Sequence, residues 1–196
     1  MDSSRRIGLF GGTFDPVHIG HLIVAEWVQN VLKLNSIYFI PNYIHPFQKR
    51  ENITGIKDRL EMLKLAIEDF PSFTLSMFEI DNKGISYAID TIHHFENAFP
   101  ESSLFYLIGR DNLNDFFKWK SPKNILKSAK VVVYDRIDTE TSGKQEWDSR
   151  FEFIKCPLIE ISSSMIRENI KSGKPVQSLL PPSVYRYIKE KNLYFD

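Results

Sequence analysis

Two histidines three positions apart, His18 and His21, follow closely on Gly11-Gly12-Thr13-Phe14-Asp15-Pro16-Val17. Gly11 and Gly12 carry no Cβ, so backbone N–H groups at this turn can approach a ligand closely. The histidine spacing puts both imidazoles on one face of a helix that begins beside them. The free N–H groups and macrodipole of a first helical turn attract anions. Asp15 is the expected N-cap, with Pro16 in the first helical position. A cationic histidine at a helix N-terminus opposes the dipole, and bound phosphates would reverse that balance. The cluster therefore reads as a polyphosphate cradle rather than as two ordinary core or surface histidines. Zinc is not expected: the pair lacks the His-Glu-x-x-His arrangement, and nothing in the sequence gathers His45, His93 or His94 around it.

A second cluster, Ile161-Ser162-Ser163-Ser164-Met165-Ile166-Arg167, has the same character. A strand runs into serines that start a helix, one of them as N-cap, and Arg167 falls in or just after the first turn. The Glu of a capping box is missing, and a cation again sits where the dipole disfavours it. Alone, this reads equally well as a serine-capped helix with a solvated arginine. Beside the first cluster, hydroxyls, imidazoles and a guanidinium at two helix N-termini suit a triphosphate that loses pyrophosphate.

The elements that must carry these clusters alternate. Apolar runs predict strands over 7–10, 36–41, 73–80, 104–108 and 130–134, and over 151–161 with a break at Pro157. Helical patterns cover 16–33, 57–70, 87–99, 163–172 and 183–191, with Gly173 a C-cap. Residues 42–55 read as a loop and 135–148 as a polar stretch. Strands separated by helices give an α/β fold with a mainly parallel sheet flanked by helices. Its ligand crevice lies at the carboxyl ends of the strands, where the glycine turn and Gly109–Asp111 both fall. No repeat or linker divides the chain, so residues 1–196 form one expected domain.

Composition sets the outer limits. The chain has 196 residues, 42% hydrophobic and 26% charged, enough for one well-filled core. Lys plus Arg and Asp plus Glu are 25 each, so no net field recruits nucleic acid or an anionic membrane. Cys156 is the sole cysteine, which rules out an intrachain disulfide. No membrane span or signal-peptide pattern is present, and the expected location is cytoplasmic.

Gly11–His21 resembles the Gly-Gly-Thr-Phe-Asp-Pro-x-His-x-Gly-His signature of bacterial nicotinate-nucleotide adenylyltransferases, within the His-x-Gly-His nucleotidyltransferase superfamily. Ile161–Arg167 matches that superfamily's Ile-Ser-Ser-x-x-Ile-Arg motif. Ser86-Tyr87-Ala88-Ile89-Asp90-Thr91, Ile108-Gly109-Arg110-Asp111-Asn112, Phe117-Lys118-Trp119, Leu180-Pro181-Pro182 and Leu193-Tyr194 also look like the nicotinate-nucleotide branch. Phosphopantetheine adenylyltransferases share both phosphate motifs, but they are shorter and lack the tryptophan segment.

The resemblance implies a Rossmann-like nucleotidyltransferase fold and an enzyme of NAD biosynthesis. It would transfer AMP from ATP to nicotinate mononucleotide, giving deamido-NAD and pyrophosphate by in-line attack without a covalent intermediate. Positioning and charge neutralisation would supply the catalysis. His18, His21 and Arg167 take the catalytic roles. The ATP side is assigned to Gly11, Gly12, Thr13, Phe14, His18, His21, Gly109, Asp111, Ile161, Ser162, Ser163, Ser164 and Arg167, with Asp111 on the ribose hydroxyls. The mononucleotide side is assigned to Thr13, Lys49, Tyr87, Trp119 and Lys120. Trp119 stacks on the pyridine ring, where physics alone would leave plain packing open. Mg2+ is expected on the ATP phosphates, held largely through water, with no protein cage.

Two departures bear on the acceptor. Ala88 replaces the family's threonine, and Lys49 is offset within His45-Pro46-Phe47-Gln48-Lys49-Arg50 where many members read Pro-Pro-His-Lys. Nicotinamide mononucleotide, alone or as a second substrate, is therefore the near alternative. Phosphopantetheine adenylyl transfer and a catalytically inactive nucleotide-binding regulator are more distant ones. A homo-oligomer is compatible with the sequence.

Overall fold

The computed structural model describes residues 4–47, 53–136, 150–157 and 160–195. Six strands form one sheet: β1 (Arg6–Gly12), β2 (Ser36–Pro41), β3 (Phe73–Leu75), β4 (Ser103–Gly109), β5 (Lys130–Arg136) and β6 (Phe151–Cys156). Their order is β3-β2-β1-β4-β5-β6, and every neighbouring pair is parallel. Leaving β1 the chain builds outward to β3, then returns to place β4 on the other side of β1. That reversal is the topological switch point of a doubly wound fold, where a crevice opens past the strand ends.

Strand alternation sorts side chains to two faces. Ile7 and Leu9 of β1, Leu104, Tyr106 and Ile108 of β4, and Val131 and Val133 of β5 join one buried cluster. Phe10, Phe105, Leu107 and Val132 join the other. Because both faces are covered, the strands read as continuous apolar runs rather than as alternating ones. The first cluster packs under α4 (Ala88–Ala98), α5 (Arg110–Leu113) and α6 (Pro122–Ser128). The second packs under α1 (Ile19–Leu32), α2 (Ile56–Ile67), α7 (Ser163–Lys171) and α8 (Pro182–Glu190). Leu22, Ala25 and Val28 give α1 its buried stripe. Among the described residues no helix is long and apolar enough to cross a membrane.

Several expectations are corrected. The strand predicted over 73–80 ends at Leu75, and α3 (Phe78–Asp81) follows. β3 pairs only with β2, and their register stops at Phe39 opposite Leu75; beyond it a helical turn buries Glu79 and Ile80. A short apolar run does not distinguish these outcomes by period alone. The first helix starts at Ile19 rather than at 16, and its N-cap is His18, not Asp15. Asp15 and Pro16, joined by a cis peptide, instead belong to the buried turn before it. β5 runs on through Asp135 and Arg136, which the sequence placed in the polar stretch; residues 137–149 lie outside the described residues. β6 stops at Cys156, ahead of Pro157, which has no N–H for a ladder. Gly173, at φ +69°, follows α7 in the left-handed conformation that suits a residue without a Cβ.

Candidate functional site

At the switch point β1 ends in Gly11-Gly12 and β4 in Ile108-Gly109. Two cavities open here. One, of about 580 Å3, is lined by His18, His21, Gly109, Asp111, Tyr134, Ile161, Ser162 and Ser163, among others. The other, of about 410 Å3, is lined by Gly11, Gly12, Glu79, Tyr87, Tyr106, Gly109, Trp119, Lys120 and Tyr134, among others. Gly109 and Tyr134 border both.

The histidine-lined cavity is built at the N-terminus of α1. The His18 backbone N–H donates to His21 Nδ1 at 3.2 Å, and the two rings lie 3.7 Å apart between centroids. His21 Nδ1 is therefore an acceptor, which leaves the proton of the neutral ring on Nε2. Burial pulls the His18 pKa down to about 4. Burial also holds His21 well below the ordinary histidine range, with His18 adding to the effect. Both rings are thus neutral at neutral pH, which removes the dipole conflict that a cationic pair would create. His18 Nδ1 is buried and has no hydrogen-bond partner among the described residues. An orphaned buried nitrogen is unfavourable in the folded protein.

The two sequence clusters meet in space. Ser162 caps α7 by accepting the Met165 N–H at 3.2 Å. Ser163 Oγ donates to Pro16 O at 2.8 Å, and Arg167 donates to Asp15 O at 2.6 Å and to Ser164 Oγ at 3.1 Å. α7 is thereby fastened to the glycine turn. Thr13, Phe14, Ser164 and Arg167 line neither cavity. The Phe14 ring is buried against Phe10, Phe39 and His21, and Thr13 Oγ1 accepts from Asn42 at 3.1 Å. These residues shape the turn from behind.

Sequence reasoning missed what lies beneath the turn. Arg59, fully buried on α2, donates to the carbonyls of Thr13 (2.8 Å), Asn42 (3.0 Å) and Thr54 (3.2 Å). Asp15, also buried, accepts from the Tyr194 hydroxyl at 2.6 Å and the Thr54 N–H at 3.3 Å. Tyr194, near the C-terminal end of the described residues, therefore reaches the glycine turn.

In the second cavity, Trp119 stands edge-on to Tyr106 with centroids 6.2 Å apart and packs on Phe116 at 5.3 Å. Lys120 Nζ lies 4.4 Å over the Tyr87 ring and pairs with Asp90 at 2.9 Å. Ala88 presents a methyl to the cavity at the first turn of α4. A Cβ on Gly11 would come within 3.1 Å of the Tyr106 hydroxyl, and one on Gly109 within 2.5 Å of Asp111 Oδ1. Both glycines are thus places where neighbouring polar groups approach the backbone. Glu79, Tyr106 and Tyr134 were not foreseen. Burial raises the pKa of each, and the Glu79 charge adds to the rise at Tyr106. Lys49 lies outside the described residues.

A family profile described as Cytidylyltransferase-like matches residues 9–169. A Flavobacterium psychrophilum protein named probable nicotinate-nucleotide adenylyltransferase is 37% identical over 190 residues, covering 96% of this chain and 98% of its own. The Bacillus subtilis nicotinate-nucleotide adenylyltransferase is 38% identical over 190 residues, covering 97% and 98%. Among solved structures, Plasmodium falciparum nicotinic acid mononucleotide adenylyltransferase complexed with NaAD superposes with a TM-score of 0.80 at 18% identity, covering 98% of each chain. That likeness concerns the fold.

Proposed function

The chain belongs to the nicotinate-nucleotide adenylyltransferases, within the cytidylyltransferase-like family, and on that premise we propose that it transfers AMP from ATP to nicotinate mononucleotide, giving deamido-NAD and pyrophosphate. One observation carries the reading to these residues. A histidine-lined cavity and an aromatic cavity meet at Gly109 and Tyr134, at the switch point of the sheet. A triphosphate in the first and a pyridine mononucleotide in the second bring their phosphates together at that border.

His18 and His21 act there as neutral N–H donors to the ATP phosphates and to the departing pyrophosphate, with Ser162, Ser163 and the N-terminus of α7 facing them. Arg167 and Ser164 hold the turn and contribute positive potential and a hydroxyl from its flank. Gly11, Gly12, Thr13 and Phe14 give the backbone close to the α-phosphate, Ile161 closes the adenosine side, and Asp111 beside Gly109 takes the ribose hydroxyls. Trp119 stacks on the pyridine, with Tyr87 and Lys120 at the mouth, and Lys49 belongs to the same acceptor side. The first turn of α4, opening into the cavity at Ala88, offers backbone N–H groups to the nicotinate carboxylate.

Among the described residues no three His, Cys, Asp or Glu side chains converge as a metal site, and Asp111 is the carboxylate that lines the histidine cavity. That donor set fits Mg2+ carried by the triphosphate, where it neutralises phosphate charge. Residues 1–196 act as one cytoplasmic nucleotidyltransferase domain on these two substrates.

A second reading, nicotinamide mononucleotide as acceptor, is favoured by the Ala88 methyl where a hydroxyl would contact the acid. A pyrophosphate-release assay with ATP and each acceptor decides between them. We expect higher kcat/KM for nicotinate mononucleotide. Equal or better turnover of the amide overturns the acid assignment, and no release with either pyridine mononucleotide overturns the activity.

A further inference from the structure

Glu79 is a buried carboxyl that opens into the aromatic cavity. Thr91 Oγ1 donates to its Oε1 at 2.5 Å, and the nearby Ser86 hydroxyl offsets part of the effect of burial. Among the described residues no ion pair reaches it. A buried charge without a cationic partner is costly unless something else compensates it. The charged groups around it do not. Asp90 is a like charge that adds to its raised pKa. Lys118 and Lys120, which also line the cavity, are exposed and pair with Asp115 and Asp90. Burial holds His45, in the same wall, below the ordinary histidine range, so it is neutral at neutral pH. The carboxyl is close enough to Tyr106 for its charge to be felt there, and Tyr106 in turn touches Trp119 edge-on.

We propose that Glu79 is a specificity-determining residue that supplies the countercharge for the cationic pyridinium ring of the acceptor mononucleotide stacked against Trp119. This rests on the acceptor reading above. The ring nitrogen of an oxidised pyridine mononucleotide carries a fixed positive charge, so the ligand itself would be the missing cation. The same field turns the nicotinate carboxylate away from Glu79, toward Lys120 and the N-terminus of α4. Selection follows from an uncompensated charge, which favours the ligand that neutralises it over an isostere that does not.

The test compares the oxidised mononucleotide with its 1,4-dihydropyridine form, whose ring is neutral and nearly the same shape. Kinetics with wild type and Glu79→Gln should show kcat/KM for the oxidised acceptor falling about tenfold in the variant, mainly through KM. For the reduced acceptor the change should stay within about twofold. Thr91→Val, which keeps the charge and removes one hydrogen bond, should retain the wild-type preference. Equal losses on both acceptors, or no loss on either, overturn the proposal. Wild-type binding provides a reading that needs no variant: the oxidised form should bind at least about tenfold more tightly, and equal affinities overturn the countercharge. A wild type that adenylates other acceptors but no pyridine mononucleotide overturns the acceptor reading, and this inference with it.

Discussion

The histidine cavity and the tryptophan cavity are built by opposite means. The first is centred on a local motif clamped from outside: His18 and His21 sit within four consecutive residues, Ser163, Arg167, Arg59 and Tyr194 hold the turn that carries them, and Gly109, Asp111, Tyr134 and Ser162 complete the wall. The second has no local motif of comparable density. Gly11, Glu79, Tyr87, Tyr106 and Trp119 come from separate segments and meet only because the sheet order sets β4 beside β1. A phosphate site needs oriented N–H groups, which one helix end supplies. Recognition of a flat heterocycle needs walls on several sides, which a single segment cannot supply.

The largest separation of the two halves is expected from His18→Ala. Loss of one preorganised donor should lower kcat by about 10^2 to 10^3, while thermal unfolding shifts little because an unpartnered buried nitrogen leaves with the ring. A loss of folded protein matching the loss of turnover would make His18 structural instead. Trp119→Ala should act on the other half, raising KM for the mononucleotide about 10- to 100-fold through lost stacking and leaving KM for ATP nearly constant.

Acid should distinguish the halves by sign. The folded pKa of His18 is lowered to about 4 from 6.5, so between those values the unfolded chain binds a proton that the folded one refuses. Stability is therefore lost as pH falls through that window, by about 2 kcal/mol between pH 7.5 and 5 from His18 alone. His21 adds to the loss in the same direction. Glu79 has a raised pKa, so its contribution is present at low pH and fades as pH rises through the folded value. Melting curves from pH 7.5 to 5 should fall in wild type and flatten in His18→Gln; an unchanged slope would deny the buried neutral imidazole. The smallest effect belongs to Tyr194→Phe, which removes one donor from Asp15. It should cost about 1 kcal/mol of stability and lower kcat more than KM for the mononucleotide, read by melting and initial rates.

The same contrast explains what could be read from the sequence. The strand order and the longer helices followed from apolar runs and periodicity, whereas the short α3, α5 and α6 did not, and two dense clusters pointed to the residues that meet around the glycine turn. Arg59 escaped because Lys57-Asp58-Arg59-Leu60-Glu61 reads as the solvated side of an amphipathic helix, yet this arginine turns inward to three carbonyls. Tyr106 escaped because it sits in Leu104-Phe105-Tyr106-Leu107-Ile108, an apolar run in which its hydroxyl carries no local signal. Glu79 escaped because the run from Phe73 was read as one strand, which hid the turn that buries it. Asp15 stood out in the sequence, but as a helix cap; in the fold it anchors the turn from inside, and His18 takes the cap position of α1.

Equilibrium binding to wild type and Trp119→Ala, with nicotinate mononucleotide and a non-hydrolysable ATP analogue titrated separately, tests the division of labour most directly. The variant should lose about 10- to 100-fold in affinity for the mononucleotide and bind the ATP analogue as wild type does. Parallel loss of both ligands would contradict two adjoining sites with separate roles.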